Sequence, residues 1–254
     1  MRRLTAALLA ALAAGCGPGE SPPPAGTTAS GAGPGRPASE HVRLASECLA
    51  GDRLAEAAAE YRAALAQDAA NVAALEGLSR IAARMNDAPG SLALIARAAE
   101  LRPQDGAIIN QLGVAQLANG RKREAAATFE RAMELRPRDA LVLLNAAQNQ
   151  ADLGDWARAR GYAERAAVLI PDDATPWLLL GRFQMRQEKF AEAVAPLREA
   201  ARRAPEQAMI QYYLGKSLAA AGRRQEAEEP LRAVLRGSAP PEIRREVESL
   251  LAGK

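Results

Sequence analysis

The side chains that could do chemistry are few. The chain has one histidine, His41, and two cysteines, Cys16 and Cys48. A thiol and an imidazole form a nucleophilic pair only where they meet. His41 and Cys48 are seven residues apart in a stretch of helical composition, which places them near one another in rotation but about 10 Å apart along the axis. One histidine is also too little for a zinc site, which takes three or four N, S or carboxylate ligands. The carboxylates Glu56, Glu60, Glu124, Glu130, Glu192 and Glu199 fall at helix spacing among Arg and Ala, the pattern of a solvated face with pairing one turn away. Neither GxxxxGK nor a GxGxxG after a strand occurs, so no phosphate-cradling loop is expected. The expectation is a chain that is not an enzyme and uses no cofactor, no metal and no small-molecule substrate. Thiol, redox or enzyme-accessory work through Cys48 is the alternative of another class.

The elements around these residues follow from composition and spacing. Hydrophobic residues make up 48% of the 254 residues but aromatics only 4%, a helix-forming composition with a thin supply of large core side chains. Pro103, Pro137, Pro171 and Pro205 are evenly spaced along the chain. Within residues 106–139, large side chains at Ile109, Leu112 and Leu117 precede an Asn119-Gly120 break, where both residues tolerate positive φ. A second stripe follows at Ala125, Phe129, Ala132 and Leu135, spaced as one helix face requires. Pro137 ends it.

The same register continues on both sides. Ala159, Ala193 and Ala227 take the place of Ala125, while Leu180-Gly181 and Leu214-Gly215 repeat Leu112-Gly113. A small residue there lets two helices cross closely. Breaks recur at Gly51-Asp52, Gly154-Asp155, Glu188-Lys189 and Gly222-Arg223, and Ala69 and Ala239 replace proline in the outermost units. Pro196 and Pro230 fall inside second helices, where loss of a backbone bond predicts a bend near the first turn. Six units run over 38–71, 72–105, 106–139, 140–173, 174–207 and 208–241. Residues 242–252 set Ile243, Val247, Leu250 and Leu251 on one face, as a helix capping an open stack would.

The pattern resembles the tetratricopeptide repeat, W-x2-L-G-x2-Y, A-x3-F and P, at most places. That resemblance implies an all-α, right-handed α-solenoid of about six TPR helix-turn-helix repeats plus a C-terminal capping helix. It further implies that the first helix of each repeat lines a concave groove that binds an extended peptide or a helix. By register the groove residues are Glu76, Arg80, Arg84, Asn110, Val114, Leu144, Gln148, Leu178, Arg182, Met185, Arg186, Tyr212 and Lys216. Arg forks would grip carboxylates and the aliphatic residues would take side chains. The carboxylate-clamp set of Lys and Asn is not reproduced, since Asn110, Asn145 and Asn149 come without its lysines.

The amino terminus reads as an address. Two arginines precede an apolar run from Leu4 to Ala14, too short to span a bilayer but suited to a signal peptide over residues 1–15. The ending Leu12-Ala13-Ala14-Gly15-Cys16 resembles the lipobox of bacterial lipoproteins, in which Cys16 would be lipidated; cleavage of an ordinary secreted protein after a small residue is the alternative. Over residues 17–37 twelve of 21 positions are Gly or Pro, so residues 16–37 are expected to form a lipidated, disordered tether. Gly17 in place of an acidic residue is similar to outer-membrane lipoproteins facing the periplasm, with a soluble periplasmic protein as the other reading. Without Arg2 and Arg3 the chain keeps 31 basic against 30 acidic side chains. That balance leaves no excess charge to hold a nucleic acid.

These readings predict a non-enzymatic protein-protein interaction scaffold of the bacterial cell envelope. Its partners would be other envelope proteins, and it would touch the membrane through a lipid anchor only. Repeats behind a lipobox also resemble the pilotins of type IV pili, which implies an assembly factor for an outer-membrane secretin as the alternative.

Overall fold

The computed structural model describes residues 36–252. The expected signal peptide, Cys16 and the tether as far as residue 35 lie outside the described residues. Thirteen helices and no strand occur among the described residues. They are α1 (Ala38–Ala50), α2 (Leu54–Gln67), α3 (Val72–Arg84), α4 (Ala88–Leu101), α5 (Gly106–Ala118), α6 (Lys122–Leu135) and α7 (Ala140–Leu153). Then come α8 (Trp156–Leu169), α9 (Thr175–Arg186), α10 (Phe190–Arg203), α11 (Ala208–Ala220), α12 (Arg224–Arg236) and α13 (Pro241–Leu251). The described residues divide into two compact units, 36–128 and 129–252.

Turn chemistry sets the rhythm. Asp52, Asn86, Gly120, Gly154, Glu188 and Gly222 all have positive φ, and each follows the one before by the same interval that separates the prolines. This left-handed residue reverses the chain between the first and second helix of each pair. Glycine takes it without strain, whereas Glu188 must bring its Cβ close to the backbone. The sequence signal missed Asn86, which has no neighbouring glycine to mark it.

The other junction, from one pair to the next, is built from proline and a cap. Pro103, Pro137 and Pro171 follow the C-caps of α4, α6 and α8, where a residue without an N–H cannot continue the helix. Two residues later the Asp105 and Asp139 side chains accept from the first free N–H groups of α5 and α7, and Asp173 accepts from Thr175 N. Pro-x-Asp thus ends one hairpin and starts the next. Pro196 and Pro230 each stand seventh in α10 and α12, and both helices are continuous across them. They are therefore a turn further in than the bend near the first turn that the sequence suggested.

Packing in each unit relies on alanine seams with a few large plugs. In the first unit, Ala45, Ala57, Ala64 and Ala74 are fully buried around Tyr61. A Cβ on Gly77 would lie 2.2 Å from the Tyr61 ring, so this glycine is what lets α2 and α3 approach. In the second unit, a Cβ on Gly181 would lie 2.4 Å from Leu197 and one on Gly215 2.6 Å from Leu231. The preceding pair solves the same contact differently. Ala147 stands where Gly181 does, and Ala163 replaces the leucine, with both alanines fully buried. The crossing is thus filled either by one large side chain over a bare backbone or by two small ones, the alanine pair having two side-chain carbons fewer.

Candidate functional site

In the first unit, the first helices carry Glu76, Arg80 and Arg84 on α3. Arg80 and Arg84 are exposed, and Arg84 pairs with Asp52 of the preceding turn. Glu76 accepts from Gln111 Nε2 of α5 at 2.8 Å. Val114 is half-buried. Asn110 is only 6% exposed, so the placement of that residue on an open groove is corrected. A short side chain at that register sits under its neighbours.

In the second unit, α7, α9 and α11 supply the remaining residues. Gln148 is half-buried and donates to Asp152 Oδ1 at 3.2 Å. Asp152 also accepts from Arg186 Nη1 at 2.8 Å, while the Arg186 guanidinium lies 5.1 Å from the Trp156 ring centroid. Leu178 and Met185 are partly buried against the C-terminal core, as are Met209 and Tyr213. Arg182 stacks over Tyr213 at 5.5 Å. Leu144 is buried in the middle core cluster of the chain and Tyr212 in the C-terminal one. Both are therefore corrected from groove lining to core.

Tyr212 is buried because α13 covers it. Its hydroxyl donates to Glu246 Oε2 at 2.8 Å, and Lys216 Nζ donates to Glu246 Oε1 at 2.6 Å and to the Tyr212 hydroxyl at 3.1 Å. Burial, chiefly, pushes the Tyr212 phenol up to about 12. For Glu246, burial opposes ionisation, but the bonds from Lys216 and Tyr212 outweigh it and hold the carboxyl below its ordinary value. Burial likewise opposes the Lys216 charge, and the bonds to Glu246 and Tyr212 outweigh it and raise its pKa. The Lys216 end of the expected groove is thus covered by the chain's own helix.

Sequence reasoning missed Asp152, Trp156, Tyr213 and Glu246. A signal existed: Asp152 and Arg186, like Tyr212 and Glu246, stand exactly one repeat apart in the chain. Residues one repeat apart on first helices are neighbours, so a hydrogen-bond donor and a carboxylate at that offset mark internal pairs. The resulting surface leaves methionine, leucine and tyrosine side chains partly exposed beside those cations that the fold has not already neutralised.

The expected thiol and imidazole are not brought together. His41 is 1% exposed, and its Nδ1 lies 2.6 Å from Glu60 Oε2 on α2. Cys48 is 7% exposed and packs in the alanine core of the first unit. Among the described residues, no three His, Cys, Asp or Glu side chains are placed to hold a metal ion. No described helix is long and apolar enough to cross a membrane.

Paired helices on one constant period, a left-handed turn in each and a small residue at each crossing define a tandem helical-repeat protein. The chain belongs to the tetratricopeptide repeat family, whose pattern matches residues 42–106, 110–174 and 178–242. Members of this family are in general interaction scaffolds rather than enzymes. No curated protein matches the sequence. Among solved structures, the fold is similar to that of PilW, described as a widely conserved type IV pilus biogenesis factor. The TM-score is 0.74 at 22% identity, over 83% of this chain and 98% of that one. It is also similar to PilF of Pseudomonas aeruginosa, with a TM-score of 0.67 at 17% identity over 85% and 97% of the two chains. YrrB, described as a TPR protein with an unusual peptide-binding site, gives 0.55 at 17% identity over 74% and 97%.

Proposed function

We propose that this chain is a non-catalytic interaction scaffold of the bacterial cell envelope that binds polypeptide segments on the first-helix face of its repeats. The observation that carries this reading is the half-buried surface of Leu178, Arg182, Met185 and Met209 on α9 and α11. It is apolar and adaptable, with a cation at its centre. The envelope address rests on the lipobox-like residues 12–16, with lipidated Cys16 anchoring the chain in the outer membrane on its periplasmic side. Crosslinking of the full chain in cells, followed by identification of captured envelope proteins, tests the scaffold. Recovery of no envelope protein overturns it. The mass of the membrane-associated form tests the anchor, since acylation adds several hundred daltons.

A second reading, a pilotin-like factor in type IV pilus or secretin assembly, is favoured by one observation. The fold follows PilW over 98% and PilF over 97% of their lengths. Loss of secretin oligomers on deletion of the chain is the expected outcome, and normal oligomers would sink that reading.

A further inference from the structure

Arg182 and Lys216 occupy the same register of α9 and α11, one repeat apart. Lys216 meets a carboxylate from the next helix in the stack, Glu246 of α13. One step earlier, the residue in register with Glu246 is Tyr212, which is turned into the core and cannot neutralise a cation. Arg182 instead lies 5.5 Å over the Tyr213 ring, and among the described residues no carboxylate forms an ion pair with it. A cation–π contact of this kind uses the charge of the guanidinium and none of its N–H donors. Its cationic neighbours are already used, Arg186 by Asp152 and Lys216 by Glu246.

We propose that Arg182 receives one carboxylate from a partner polypeptide, and that Leu178, Met185 and Met209 take the apolar side chains on either side of it. This rests on the scaffold reading and narrows it. The chain itself shows the chemistry one repeat later, where Glu246 is flanked on α13 by Ile243, Val247 and Leu250, all packed against the C-terminal core. The partner segment therefore carries a single Glu or Asp between large apolar residues. An acidic run is not selected, because the cations beside Arg182 on this face, Arg186 and Lys216, are already paired with carboxylates of the chain. A planar fork held on a ring favours a bidentate carboxylate over an amide.

The test is an array of immobilised octapeptides probed with the full chain. Each has a central Glu between Leu, Met or Phe residues, with counterparts carrying Gln or three consecutive Glu at the centre. The central-Glu peptides are expected to retain about tenfold more protein than the Gln set. R182Q is expected to erase this preference and R186Q to keep it, with thermal midpoints of both variants near that of the parent. Retention with no glutamate preference, or a preference that survives R182Q, overturns the proposal and leaves the scaffold reading standing. No retention of any peptide also overturns it, and the scaffold reading is then decided separately by the envelope crosslinking. Binding to phosphatidylglycerol vesicles that R182Q abolishes, without peptide retention, would overturn it in favour of a lipid headgroup.

Discussion

Arg186 reaches back one whole repeat to Asp152, its Nη1 2.8 Å from Oδ1, while its guanidinium stacks on Trp156 from the same hairpin as Asp152. The contact ties α9 to α7 across the first-helix face and removes one positive charge from it. The Asp152 side chain is 17% exposed and that of Arg186 43%, so the pair is screened by solvent on one side only.

Removing the acceptor should cost more than removing the donor. D152A strands both Gln148 Nε2 and Arg186, whereas R186M keeps most of the apolar contact with Trp156. Loss of about 1–2 kcal/mol is expected for D152A, and under about 1 kcal/mol for R186M. Urea unfolding of both variants and of the double variant checks this, and a coupling energy near zero would show that the pair is incidental.

The left-handed turn offers a gain in stability. Glu188 has φ near 60° in the position that Gly120, Gly154 and Gly222 occupy in other repeats. E188G should stabilise the chain by about 0.5–1 kcal/mol, since relief of the Cβ contact exceeds the added freedom of the unfolded backbone. G154A should destabilise by a similar amount. Thermal unfolding of the two variants should give shifts of opposite sign.

Helix crossing can be tested by exchanging one repeat's solution for another's. G181A alone drives a methyl toward Leu197, whose nearest atom is 2.4 Å from the ideal Cβ, and should cost about 1–3 kcal/mol through overpacking. L197A alone leaves a cavity and should cost about 2–5 kcal/mol. Together they recreate the Ala147 and Ala163 arrangement of the preceding pair, so the double variant should be more stable than the sum of the two losses implies. Strict additivity in denaturant unfolding would mean that the crossing does not depend on this contact.

The period, the helices and the crossings were legible because they rest on backbone rules. A proline without an N–H stops a helix wherever it stands, and a missing Cβ at Gly181 or Gly215 is visible as a letter. The groove was less legible, because exposure depends on what lies above a residue. Tyr212 and Leu144 share the register of Leu178, yet only Leu178 stays partly open. For Tyr212 the covering element is α13, an amphipathic helix whose apolar face is visible in the sequence at Ile243, Val247, Leu250 and Leu251. What the pattern of apolar residues could not convey was that Glu246 would bring a carboxylate to the Lys216 ammonium. The partners of Arg186 and Arg84 are hidden for the same reason, since a one-turn pairing rule does not look a whole repeat back to Asp152 or nearly as far back to Asp52.

The cap should respond to pH at both ends of the scale. Glu246 is held below its ordinary value of 4.5 in the folded chain. Its contribution to docking α13 is complete above that value and is lost as pH falls through the lower folded one. Lys216 is raised above 10.5, and Tyr212 from 10.0 to about 12. The folded state therefore holds protons that the unfolded chain gives up, and this stabilisation is complete below about pH 10 and fades as pH rises through the folded values. Amide hydrogen exchange of α13 should accordingly be slowest on a plateau between roughly pH 5 and 10, once rates are corrected for intrinsic exchange. E246Q should remove the acid limb by deleting the titrating carboxyl, while K216M should weaken docking across the plateau by leaving Glu246 with only the Tyr212 hydroxyl. An acid limb that persists in E246Q would assign it to other carboxylates, such as Glu226 and Glu229 on α12, whose pKa values are lowered by hydrogen bonds from Arg223 and Arg236.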